Sequence, residues 1–132
     1  MPHIVLHLSG PVDSALAQRS VDKVIALTCD VLGKKPEVIS IQVLFTPSEQ
    51  WFVGGQTLAA SGKSAFHLDI SVTDETNTKA EKAQFIRALY EAFRQLRPDL
   101  HEVCYTYVID ARAAAYGYGG RTQEFRHQQA GV

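Results

Sequence analysis

The sequence predicts an α+β fold: two tandem β-α-β units forming one four-stranded mixed sheet, with two helices on one face. Three observations predict it. An alternating apolar run, a helical stripe and a second alternating run occur in that order twice along the chain. Each series closes on an aromatic residue followed by a Gly-Gly turn, Trp51-Phe52-Val53-Gly54-Gly55 and Tyr116-Gly117-Tyr118-Gly119-Gly120. Neither half alone is large enough to close a core, so the two must share one. The 132 residues therefore read as one domain, 1–132, with repeat halves of about 1–62 and 63–132.

The first strand is Ile4-Val5-Leu6-His7-Leu8, with Ile4, Leu6 and Leu8 on one face and Val5 and His7 on the other. Ser9-Gly10-Pro11 breaks it. Asp13 or Ser14 suits the N-cap of a helix, whose predicted stripe is Ala17, Val21, Val24, Thr28, Val31 and Leu32. Gly33 fits the left-handed position past its end and Pro36 stops it. A second strand runs from about Val38 to Phe45, with Ile39, Ile41, Val43 and Phe45 alternating.

The series then restarts. Phe66, Leu68, Ile70 and Val72 alternate with His67, Asp69 and Ser71. Thr78 and Glu81 form a capping box. Ile86, Leu89, Tyr90, Phe93 and Leu96 give a helical stripe, and Pro98 ends it. Val103, Tyr105, Tyr107 and Ile109 alternate in the fourth strand, where core packing is the expectation for the two tyrosines. On this reading Pro98 repeats Pro36, and the strand of Tyr107 repeats that of Val43. A strand-helix-strand unit implies parallel pairing within each half. The second sheet face is expected to carry Val5, His67, Cys104 and Val108. It is too apolar to be simply wet, which predicts burial by oligomerisation.

Composition narrows the function. Hydrophobic residues make up 45% and charged residues 20%, which excludes a disordered chain. No apolar run approaches the roughly 18 residues of a membrane span. Lys and Arg total 13 against 14 Asp and Glu, without the basic excess of a nucleic-acid binder. Cys29 and Cys104 are too few for a disulfide framework and fit no zinc spacing. The start, Met1-Pro2-His3, lacks the pattern of a signal peptide. A soluble cytoplasmic protein that binds neither nucleic acid nor membrane is the expectation.

Pro2 is the residue with unusual chemistry. Initiator methionine is generally removed before proline, leaving a secondary amine at the head of the first strand. An ordinary α-amino group titrates near about 7.7–8.0. An apolar pocket lowers that value, so the amine is neutral near pH 7 and available as a general base.

The Pro2 start, the strand Ile41-Gln42-Val43-Leu44-Phe45-Thr46 and Trp51-Phe52-Val53-Gly54-Gly55-Gln56 together resemble the tautomerase superfamily. The first half is similar to one 4-oxalocrotonate tautomerase subunit. The second resembles another copy without the proline, with Ala65 near that position. A tandem of this length is similar to 5-carboxymethyl-2-hydroxymuconate isomerase. The resemblance implies a homotrimer, no cofactor, and Pro2 as the base that moves a proton in a small, anionic, enolisable oxo acid. It implies Trp51 and Tyr116 as pocket walls. The sequence departs from the family's arginine pattern: those positions fall at Gln42, around Val12 and around Asn77. Arg112, Arg121 and Arg126 flank the second Gly-rich turn and are placed to supply a cation to a neighbouring chain. The alternatives are a dehalogenase or decarboxylase reaction of the same superfamily, or a non-catalytic trimeric binding protein if Met1 is retained.

The remaining candidates have structural readings. His7 and His67 are expected as hydrogen-bonded sheet residues, and Asp69 as a structural partner or acid/base mate of His67. Neither cysteine has a neighbour that marks an activated thiolate. Gly117-Tyr118-Gly119-Gly120 lacks a phosphate-binding fingerprint and reads as a hairpin.

Overall fold

A computed structural model of the chain describes residues 2–130. The first half comprises β1 (His3–Ser9), α1 (Ser14–Leu32), β2 (Ser40–Thr46), the hairpin β3 (Phe52–Val53) and β4 (Gln56–Thr57), and the short helix α2 (Leu58–Ser61). The second comprises β5 (Phe66–Thr73), α3 (Lys79–Leu96), β6 (Thr106–Ala111), the hairpin β7 (Gly117–Tyr118) and β8 (Arg121–Thr122), and α4 (Gln123–Gln129). One four-stranded sheet has the order β2-β1-β5-β6. β1 pairs in parallel with β2, and β5 with β6; the halves join through antiparallel β1 and β5.

The caps form where the side-chain chemistry demands them. Asp13 accepts from the Leu16 amide at 3.0 Å. The capping box of α3 is complete: Thr78 Oγ1 accepts from Glu81 N at 3.1 Å, and Glu81 Oε1 from Thr78 N at 2.7 Å. That bond to the Thr78 amide holds the Glu81 carboxyl below its usual value. Gly33 adopts φ 69°, the left-handed conformation a side chain would resist.

Ile4, Leu6 and Leu8 of β1 and Phe66, Leu68, Ile70 and Val72 of β5 are buried in one core with both long helices. The helix stripes differ from those predicted. The buried face of α1 is Leu16, Ser20, Val24, Thr28 and Leu32, while Ala17 and Val21 sit at its margin. α3 buries Phe85, Leu89 and Phe93, and leaves Ile86 40% exposed. Two adjacent apolar residues, Phe85 and Ile86, let the stripe be drawn one residue out of phase.

The fourth strand is a second correction. Tyr105 and Tyr107 are 68% and 60% exposed, whereas Cys104 and Val108 pack against the core. The alternation was right and its phase was inverted, and a one-residue slip moves every side chain to the other face. The second sheet face therefore carries Val5, His67, Tyr105 and Tyr107.

These corrections also set the register of the repeat. Val24 and Thr28 occupy the places of Leu89 and Phe93, and Val43 that of Val108. Pro98 is not the counterpart of Pro36, since one follows α3 directly and the other opens a helical turn before β2. The hairpins correspond residue for residue in their bonds, caps and glycine conformations. Trp51 O accepts from Leu58 N at 2.9 Å and Tyr116 O from Gln123 N at 2.7 Å. Thr57 and Thr122 cap the helices that follow. Gly54 and Gly55 have φ 61° and 81°, against 62° and 77° at Gly119 and Gly120.

Within this frame Pro2 corresponds to Phe66, Ser20 to Phe85 and Thr28 to Phe93. The second half thus supplies three fully buried phenylalanines where the first places small residues. Phe66 stacks on Phe93 with centroids 4.3 Å apart.

Candidate functional site

Pro2 is buried at the head of β1. Its carbonyl accepts from Ser40 N at 3.3 Å, which ties it to the start of β2. A cavity of about 510 Å³ opens beside it, within the size range of small-molecule sites. Two regions supply the other walls. Glu37, Val38, Ile39 and Ser40 lead into β2, and Tyr116, Gly117 and Tyr118 come from the hairpin of the other half. The hairpin reaches this place because β1 and β5 run antiparallel, so the end of one half lies at the beginning of the other.

Tyr116 is fixed there. Its hydroxyl donates to the Ser71 carbonyl at 3.0 Å, and Ser71 pairs with His3. Burial pushes its phenol up from the ordinary tyrosine value, so it is neutral at pH 7. Gly117 permits the approach, because a Cβ there would collide with the backbone of Arg121 and Thr122. Tyr118 is held by Arg126, whose guanidinium lies 3.9 Å from the ring centroid and whose Nη2 donates to the Tyr118 carbonyl at 2.9 Å.

The repeat builds a second hollow at the opposite end of β1 and β5. Trp51, Phe52 and Val53 stand where Tyr116, Gly117 and Tyr118 stand, with Phe66, His67, Val103 and Tyr105 for Pro2, His3, Val38 and Ser40. This hollow is smaller, about 270 Å³, and adjoins another of about 320 Å³ shared by His7, Thr46, Trp51 and His67. The Phe66 nitrogen is an internal amide directed at Cys104 Sγ, 3.5 Å away. Burial raises the Cys104 thiol, so it is not an activated thiolate.

The structure brings Pro2 and Tyr116 together and places Trp51 at the other end of the same chain. Gln42 is exposed in mid-strand, paired with Val5. Arg112 is exposed at the turn after β6, and the Arg121 guanidinium lies 5.2 Å from the Phe125 ring centroid. Neither lines the Pro2 cavity of its own chain, whose lining includes Glu37. Met1, on whose removal the chemistry of Pro2 depends, lies outside the described residues.

Sequence reasoning passed over His3, Val38, Ile39 and Tyr118 as cavity walls. Only the repeat could have pointed to Tyr118, since it shares the second hairpin with Tyr116. Among the described residues no group of three or more His, Cys, Asp or Glu side chains is arranged to hold a metal ion. No helix among them is long and apolar enough to cross a membrane.

No protein-family model and no curated protein matches the sequence. Solved structures match the fold. Pt0534 inactivated by 2-oxo-3-pentynoate is 11% identical, with a TM-score of 0.81 over 94% of this chain and 98% of that one. A wild-type fused 4-OT asymmetric trimer is 19% identical, with a TM-score of 0.75 over 94% and 98%. A macrophage migration inhibitory factor-like protein from Entamoeba histolytica is 16% identical, with a TM-score of 0.74 over 92% and 97%. The paired β-α-β units, the crossed hairpins and these likenesses agree: the chain has the fold of the tautomerase superfamily in its fused, tandem form.

Proposed function

We propose that the protein is a cofactor-independent tautomerase or isomerase acting on a small, enolisable oxo acid, with the Pro2 nitrogen as general base. The observation that carries this reading is the burial of Pro2 against a cavity walled by Val38, Ile39 and Tyr116. Apolar neighbours disfavour the charged ammonium and keep the amine neutral near pH 7. The lone pair then takes a proton from the carbon next to the substrate carbonyl. The C–H bonding pair moves to form the carbon–carbon double bond, and the carbonyl oxygen gains the negative charge. Returning the proton to another carbon or to the oxygen completes the isomerisation.

An anionic intermediate calls for positive charge. Among the described residues of one chain no lysine or arginine lines the cavity. Arg112 and Arg121 of a neighbouring copy are the proposed source of the cation, in a homotrimer that covers the exposed Tyr105 and Tyr107. The trimeric state of the fused 4-OT supports that assembly.

The test is the ketonisation rate of phenylenolpyruvate with matched samples whose Met1 is removed or retained, verified by intact mass. Methionine converts the Pro2 nitrogen to an amide without a basic lone pair. The rate should be present only in the processed protein, and 2-oxo-3-pentynoate should label Pro2 only there. Equal rates would exclude Pro2 as the base. No rate in either sample, with a stable trimer, would favour a non-catalytic binding protein.

A further inference from the structure

The peptide that joins Pro2 to His3 is held from two sides. The Pro2 carbonyl accepts from Ser40 N of β2 at 3.3 Å. On the other side His3 pairs with Ser71 of β5, and the Tyr116 hydroxyl donates to the Ser71 carbonyl at 3.0 Å. The His3 backbone N–H lies near the same hydroxyl oxygen and draws its phenol down, against the larger upward push of burial. A peptide is planar and the proline ring is rigid, so once that peptide is fixed only rotation about the Pro2 Cα–C bond remains to aim the nitrogen. The hairpin itself does not need the hydroxyl. Trp51 at the matching place has none, yet its hairpin closes with the same backbone bond and the same glycine conformations.

We infer that Tyr116 is a positioning residue for Pro2: its hydroxyl holds the Ser71–His3 pair and so fixes the peptide that aims the Pro2 nitrogen. The tyrosine ring walls the cavity, whereas the hydroxyl acts through the backbone. This role rests on Pro2 being the base.

The test compares Tyr116→Phe with the parent, both with Met1 removed, in the ketonisation of phenylenolpyruvate. Phenylalanine keeps the ring and deletes the hydroxyl. The kcat should fall about fivefold, the worth of one neutral hydrogen bond, with KM and the ionisation in the pH–rate profile unchanged. Hydrogen exchange at the Ser40 amide, whose acceptor is the Pro2 carbonyl, should quicken in the same variant. Tyr116→Ala, which also removes the wall, should raise KM as well. Asp13→Ala, which deletes the cap of α1 at the other end of β1, should leave kcat unchanged and so separates lost stability from lost aim. An unchanged kcat, a loss confined to KM, a shifted ionisation, unchanged Ser40 exchange or an equal loss in Asp13→Ala overturns the positioning role and leaves Pro2 as the base. A processed parent without any rate overturns both.

Discussion

The two ends of the central strand pair are built by the same repeat and differ in what the repeat carries. At one end Pro2 meets Tyr116 in a cavity of about 510 Å³. At the other, Phe66 meets Trp51 in one of about 270 Å³, and His67, 3.0 Å from Asp69 Oδ1, lines the wall. One fold thus presents two pockets of equal position and unequal chemistry. The position comes from antiparallel β1 and β5, and the chemistry from residues at matched places. On the proposed reading the base is a free Pro2 amine, whereas the matching Phe66 nitrogen is an internal amide.

Retention of Met1 should break this contrast most severely. Converting the amine to an amide should lower phenylenolpyruvate ketonisation by about 10²–10⁴-fold, the range of a lost general base. The core mates Ser20 and Phe85 give the next largest effect. Phe85→Ala should cost about 3–5 kcal/mol in denaturant unfolding. Ser20→Ala should be neutral or stabilising, because the Ser20 hydroxyl is buried without a hydrogen-bond partner. Equal costs would mean that the two helices do not share one core. Of the two hairpin aromatics, Tyr116→Ala should slow turnover about tenfold or more through misplacement of substrate, and more than Trp51→Ala. A comparable loss at Trp51 would show that a neighbouring copy's hairpin closes over Pro2.

The helix starts give the smallest difference. Thr78→Ala should cost about 1 kcal/mol. The Glu81 carboxyl is held below its usual value in the folded state, so its contribution is present above the ordinary carboxylate pKa. It disappears as the pH falls through the lowered value. α1 has Leu16 where α3 has Glu81 and so lacks the reciprocal bond of the capping box. Thermal melts of the parent and Glu81→Ala proteins should therefore converge at acid pH.

The elements, their order and the duplication were legible because alternation and capping are local. Gly54-Gly55 and Gly119-Gly120 even marked both hairpins to the residue. Phase was harder. Phe85 beside Ile86, and Cys104 among Val103, Tyr105 and Tyr107, offer two apolar stripes each, and only packing against the other half selects one. The site was legible in its members more than in its grouping. Trp51 and Tyr116 look equivalent along the chain, and the antiparallel join of the halves, a long-range fact, sends each to a different end.

The unequal core has a consequence for the ancestry and dissection of the chain. Phe66, Phe85 and Phe93 fill space that Pro2, Ser20 and Thr28 leave open. Two copies of the first half would enclose a void, and two of the second would crowd six aromatic rings into room for three. The duplication is thus no longer interchangeable. Cut at the Ser61-Gly62 junction, the fragments should recognise each other and refuse their own kind, behaving as a lock and its key rather than as two halves of a mirror.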